Sequence, residues 1–196
     1  MGSLILLIFV AGVVLWMVAA FNGLISLKNQ TLNAFKQIDV QLKRRHDLIP
    51  NLVNAVKGAM DFERSTLEAV IQARNQAVKI SAGAAGPEAM KQIGQAENAL
   101  SGALSRLMVV VEQYPQLKAT GNIGQLQEEL TSTENRIAFA RQLYNDTATQ
   151  YNTKQQQFPT SLVAGLAKAQ TAEFWEIEDQ AERAVPPVDL SMKPKA

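Results

Sequence analysis

The chain's only histidine and its densest basic cluster fall in one stretch, Lys43-Arg44-Arg45-His46-Asp47-Leu48-Ile49-Pro50. His46 is the sole histidine in 196 residues, and there is no cysteine. A His-rich zinc centre takes several imidazoles. A di-iron carboxylate centre in a helical bundle takes Glu-x-x-His on two helices. One histidine meets neither demand. The lack of cysteine removes thiolate nucleophiles, disulfides, iron–sulfur clusters and lipidation on sulfur. Gly83 and Gly86 lie in an Ala-rich turn without the Lys-Ser/Thr of a phosphate loop. Ser, His and Asp can be picked from almost any chain, and nothing here marks an oxyanion hole. The expectation is no catalytic residue, no metal and no cofactor.

Other uses remain for the basic stretch. Anionic lipid is one, but Lys43 lies 22 residues beyond Phe21. A straight helix lifts it about 33 Å from a membrane edge at Phe21, and physiological salt screens charge over about 8 Å. Nucleic acid is another, but no aromatic residues interleave the bases, and a net charge of +1 gives no general attraction. His46 beside Asp47 invites a pH sensor. The simpler expectation is that His46 is hydrogen-bonded at a helix junction, with the cations paired to Asp39, Asp47 or Glu134. Lys43, Arg44, Arg45, His46, Asp47 and Pro50 therefore stand as a junction or partner surface.

The elements that carry this stretch begin in an apolar run. Leu4 to Phe21 is 18 residues without a charge, near the length that spans a bilayer core. No Lys or Arg precedes it, and it exceeds an ordinary signal-peptide core, so a retained single-pass anchor over residues 1–25 is expected. Trp16 and Phe21 approach the far interface, as aromatic residues do. Lys28, Lys36 and Lys43–Arg45 follow the run, which places the N-terminus outside and the larger part in the cytoplasm of a bacterium, at its inner membrane. The opposite topology, with the bundle outside, is the alternative.

Everything after Phe21 reads as helix. Leu24, Leu27, Leu32, Phe35, Ile38 and Leu42 form an apolar stripe that the domain or another subunit must cover. Pro50 lacks an N–H and its ring crowds the His46 carbonyl, so a kink or reversal is expected there, with Asp47 capping a new helix from Pro50 to about Ile80. That helix carries Leu52, Val53, Val56, Met60, Leu67, Val70 and Ala77, with Glu63 and Arg74 near the same face. Pro87 opens a third helix that ends at Tyr114-Pro115. A fourth shows Ile123, Leu130, Ile137, Tyr144, Tyr151 and Phe158 seven apart, alternating with Leu126, Thr133, Ala140, Thr147 and Lys154, a heptad seam of the coiled-coil kind. Phe158-Pro159 stops it. Ser161 to Ala169 suits one short helix. Phe174-Trp175 suits a packed end-piece beside solvated acids, and the tail from Val185 suits disorder. The expected fold is all-α: an N-terminal transmembrane helix followed by an up-and-down antiparallel four-helix bundle over residues 26–169, then an acidic, aromatic C-terminal segment over 170–196.

The residues also resemble a family. Gln37 to Val53, Val56-Lys57-Gly58, Thr66 to Val70, Ala73-Arg74, Glu112, Tyr114 to Ala119, Asn122, Leu126-Gln127, Glu129-Leu130, Thr133 to Asn135, Ile137-Ala138, Ala140-Arg141, Tyr144-Asn145, Tyr151-Asn152 and Phe158-Pro159 form a long ordered set. This set resembles the LemA family of bacterial membrane-anchored proteins. Ala59 to Glu63 departs from it, lacking a Tyr and a His expected there. The resemblance implies a helical bundle behind one membrane helix, with loose ties to envelope proteostasis and signalling, and supplies no activity. Two functions of different class follow. One is a non-enzymatic anchored adaptor or scaffold, a homo-oligomer or bound to a membrane protein. The other is a lipid-binding structural protein that remodels membrane in many copies.

Overall fold

The computed structural model describes residues 1–57, 63–84, 86–114 and 121–175. Among them the chain is all helix and connection. α1 spans Gly2–Lys57, α2 Arg64–Gly83, α3 Met90–Glu112, α4 Gly121–Gln156 and α5 Thr160–Leu166. A single 3₁₀ turn, Pro87–Ala89, leads into α3.

α1 dominates the architecture. Its 56 residues reach about 84 Å at 1.5 Å per residue. Leu4 to Ala19 are exposed along its first third, and the helix is long and apolar enough to cross a membrane. From Leu24 onward one face becomes buried: Leu24, Thr31, Ala34, Ile38, Leu42, Ile49, Leu52, Val53 and Val56. The steps of three, four and seven keep these residues on one stripe. The stripe is covered by the chain itself, chiefly by α4 running antiparallel to α1, with α5 over Leu24 and α2 and α3 completing the upper part. Ile38 and Leu42 meet Ile137, Ala140 and Tyr144, while Leu52 and Val56 meet Ile123. Thr31 and Ala34 occupy the innermost positions where Leu32 and Phe35 were expected; both large residues sit half-buried at the flanks. Small residues at the seam let the two helices approach closely.

The expected reversal at Pro50 does not occur, and no new helix starts there. α1 passes through it to Lys57, and the second helix begins only at Arg64. The residues expected to turn, Arg45, His46 and Asp47, are all helical. Met60 lies outside the described residues, as do residues 115–120, the acids from Glu176 and the tail from Val185.

α2 and α3 form a hairpin that closes the other side. The interior divides into two apolar clusters. The upper one joins Leu52, Val56, Leu67, Val70, Leu100, Leu107, Val111 and Ile123. The lower one joins Ile38, Leu42, Met90, Ile93, Ile137, Tyr144, Tyr151 and Trp175. The heptad seam of α4 feeds both, and only its last member, Phe158, is left exposed.

Candidate functional site

Between the two clusters lies a polar layer. On α1 it falls between Leu42 and Ile49, on α3 between Ile93 and Leu100, on α4 between Leu130 and Ile137. Arg45, His46, Glu97 and Thr133 occupy it and are buried. Glu97 is 1% exposed. Its Oε2 accepts from Arg45 Nη1 at 3.3 Å, and its Oε1 lies 2.7 Å from His46 Nε2. An ionised carboxylate is an acceptor only, so with Glu97 as a carboxylate this contact takes the tautomer that donates from His46 Nε2. Arg45 Nη2 donates to Ser101 Oγ at 2.7 Å, and Nη1 lies 3.3 Å from Glu134 Oε2. Every charge in the layer faces an opposite charge or a hydrogen-bond partner, which is the condition for keeping charge buried.

Pro50 joins this layer through its missing N–H. In a regular helix the Pro50 nitrogen would donate to the His46 carbonyl. Arg74 Nε, from α2, donates to that carbonyl instead, at 3.2 Å. The guanidinium fills the gap the proline leaves, so the helix continues without an orphaned acceptor. Proline in mid-helix thereby becomes a docking point for α2.

Lys43, Arg44 and Asp47 are exposed on the outer face of α1, and Pro50 is half-buried. Arg44 Nη2 lies 3.8 Å from Glu129, with both side chains about half exposed, a weak surface pair. The basic stretch thus splits by helical phase: Arg45 and His46 point in, Lys43 and Arg44 out. Glu134 is the expected carboxylate that does pair with it. The buried partner is Glu97, which lies 51 and 52 residues away in sequence, beyond any local spacing signal.

The layer offers little chemistry. Ser101 Oγ accepts from Arg45 and makes no hydrogen bond to His46. Both Glu97 oxygens are engaged. Among the described residues no group of three or more His, Asp or Glu is placed to hold a metal. What the arrangement does is fix register. A one-turn slip of α1 would bury Arg45 against apolar neighbours.

A second constellation lies below. Residues Thr171 to Trp175 run without helical structure along α4. Asn152 Nδ2 donates to the Ala172 carbonyl and its Oδ1 accepts from the Ala172 N–H, both at 2.9 Å. Asn145 does the same to Trp175, both at 3.1 Å. The two asparagines are seven residues apart on a helix, about 10.5 Å. Their targets are three residues apart on an extended segment, about 10 Å. The repeat lengths match, so two side-chain amides act as one edge of a sheet. Between them the Tyr144 hydroxyl donates to the Glu173 carbonyl at 2.6 Å. Burial, with Glu173 and then Glu88 nearby, raises the Tyr144 pKa above its usual value.

Trp175 is 4% exposed. Its ring lies against Gly94, where an added Cβ would come within 3.1 Å of Cδ1 and Nε1. Arg141 lies over the ring at 5.9 Å. Phe174, its expected partner in a packed end-piece, is 38% exposed, so only one aromatic of the pair anchors this strap, Thr171 to Trp175.

A family model described as the LemA family matches residues 34–190. "Protein LemA" of Metamycoplasma hominis is 31% identical over 73% of this chain and 63% of its own length. "Magnetosome protein MamQ 2" of Paramagnetospirillum magneticum is 28% identical over 80% of this chain and 64% of its own. "Magnetosome protein MamQ" of Magnetospirillum gryphiswaldense is 26% identical over 79% and 64%. The chain spans a little under two thirds of the curated relatives it matches. With the family match extending from the middle of α1 through α5 and the strap, the chain belongs to the LemA family.

Proposed function

We propose that the chain is a non-enzymatic, membrane-anchored interaction module, an adaptor or scaffold that works by presenting one face of its helical domain to protein partners. One observation carries this. On the outer side of the α1–α4 pair, Val40, Phe139 and Leu143 are 62%, 74% and 43% exposed and line one shallow groove with Lys36 and Arg136. Three large apolar side chains at the centre, with cations at the rim, make a surface of the kind that protein interfaces use. The partner it fits has an apolar anchor and acidic flanks, either a second copy or another membrane protein.

The rest of the molecule supports the role. The polar layer joins α1 to α3 and α4, so the domain and the apolar helix move together. The lysines after the apolar run support a cytoplasmic domain with the N-terminus outside. Cross-linking in native membranes tests the proposal. A photo-reactive residue at position 139 is expected to yield a discrete adduct, and Phe139→Asp is expected to weaken association. Only monomer, at every cross-linker density, would sink it.

A further inference from the structure

The short helix α5 sits in an unusual place. Val163 and Ala164 are buried against Leu24 of α1, with Ala20 packed alongside. Ala20 lies inside the apolar run, and Leu24 is three residues beyond its last member, Phe21. At 1.5 Å per residue Leu24 is about 4.5 Å past that end. α5 is therefore held at the level where the span leaves the bilayer.

Its other face is apolar and uncovered. Leu162 and Leu166, four residues apart and so on one face, are 65% and 74% exposed. Phe158, in the turn just ahead of α5, is 83% exposed. Lys168 follows two residues after the helix and is exposed. In water three such side chains are costly; at a membrane surface they enter the region between headgroups and acyl chains, with an aromatic and a lysine at the boundary, as in interfacial helices. Continuity with the span decides the occupant. A patch tied to Ala20 and Leu24 meets lipid before it meets anything else.

We propose that Phe158, Leu162 and Leu166 form a second membrane contact, a foot inserted into the lipid surface beside the spanning helix. This rests on residues 4–21 spanning the bilayer. One helix alone leaves the domain free to tilt against the membrane surface. A foot beside it limits that tilt and fixes the height at which Val40 and Phe139 face a neighbour in the membrane plane.

The chain has no cysteine, so single labels are clean. Full-length Leu162→Cys and Leu166→Cys carry an environment-sensitive fluorophore and are reconstituted in phosphatidylcholine vesicles, with and without anionic lipid. Val109→Cys, 58% exposed near the C-terminal end of α3, is the control. The foot labels are expected to shift to the blue and to be quenched several-fold more by spin-labelled lipid than by aqueous iodide, with the control reversed. Quenching by iodide equal to the control overturns the proposal. So does protection that disappears on diluting the protein in lipid, since a second copy then covers the patch. If the protein fails to float with vesicles, the span itself is wrong and the foot falls with it; flotation with iodide-accessible labels refutes the foot alone.

Discussion

Glu97→Ala is the sharpest perturbation of the polar layer. Glu97 is almost fully buried and serves Arg45 and His46 at once. Its removal leaves Arg45, 4% exposed, facing only Ser101 and Glu134, whose side chain is 53% exposed. A half-exposed carboxylate recovers little of the lost interaction, because water screens it. Breaking a buried pair from one side costs about 3–5 kcal/mol. His46 loses its acceptor too, within the same range. For a domain of this size each kcal/mol moves the melting temperature by roughly 2–4 °C, so a loss near 10 °C is expected. Far-UV circular dichroism melts of the full chain in detergent measure it. Glu97→Gln, which keeps an acceptor for His46 and the volume, should fall between Glu97→Ala and the parent. A change of under 1 kcal/mol in Glu97→Ala, typical of a surface site, would refute the burial and pairing described here.

Further outcomes follow from the same geometry. Pro50→Ala restores an N–H that competes with Arg74 for the His46 carbonyl, so the fold should persist and Arg74→Ala should cost about 1 kcal/mol less in that background than in the parent, measured by a double-mutant cycle. Gly94→Ala drives a Cβ to 3.1 Å from the Trp175 ring and should cost about 1–3 kcal/mol, with a red shift of Trp175 emission in a Trp16→Phe background. Asn152→Ala removes both bonds to Ala172 and should cost about 2 kcal/mol and expose the strap to proteolysis. The Tyr144 pKa is raised on folding, so its contribution is complete below the unfolded value near pH 10 and is lost as pH rises above it. Tyr144→Phe should flatten the alkaline fall in stability, read from denaturant melts between about pH 9 and 11.

The helical character, the apolar span and the seam of α4 were legible because each rests on local periodicity. Leu130, Ile137, Tyr144 and Tyr151 are buried where the heptad places them. Pro50 misled because its local effect was real and its remedy was remote: a bond from Arg74, 28 residues away, keeps the helix intact. Glu97 was visible only as one carboxylate among many, since a buried pair 52 residues apart leaves no spacing pattern. The strap was half legible. Asn145 and Asn152 stood among the residues that carry the family resemblance, yet their role needs an extended segment whose rise matches a helical heptad. The foot was hidden for another reason. Leu162 and Leu166 look like ordinary core residues until the fold turns them away from α1.

The most direct test of the central claim is photo-cross-linking from Phe139 in native membranes, with Val109 as a control position far from the groove. A discrete product is expected from position 139, lost in Val40→Asp, with none of comparable yield from position 109. Equal yields from both positions, or monomer alone from position 139, would contradict it.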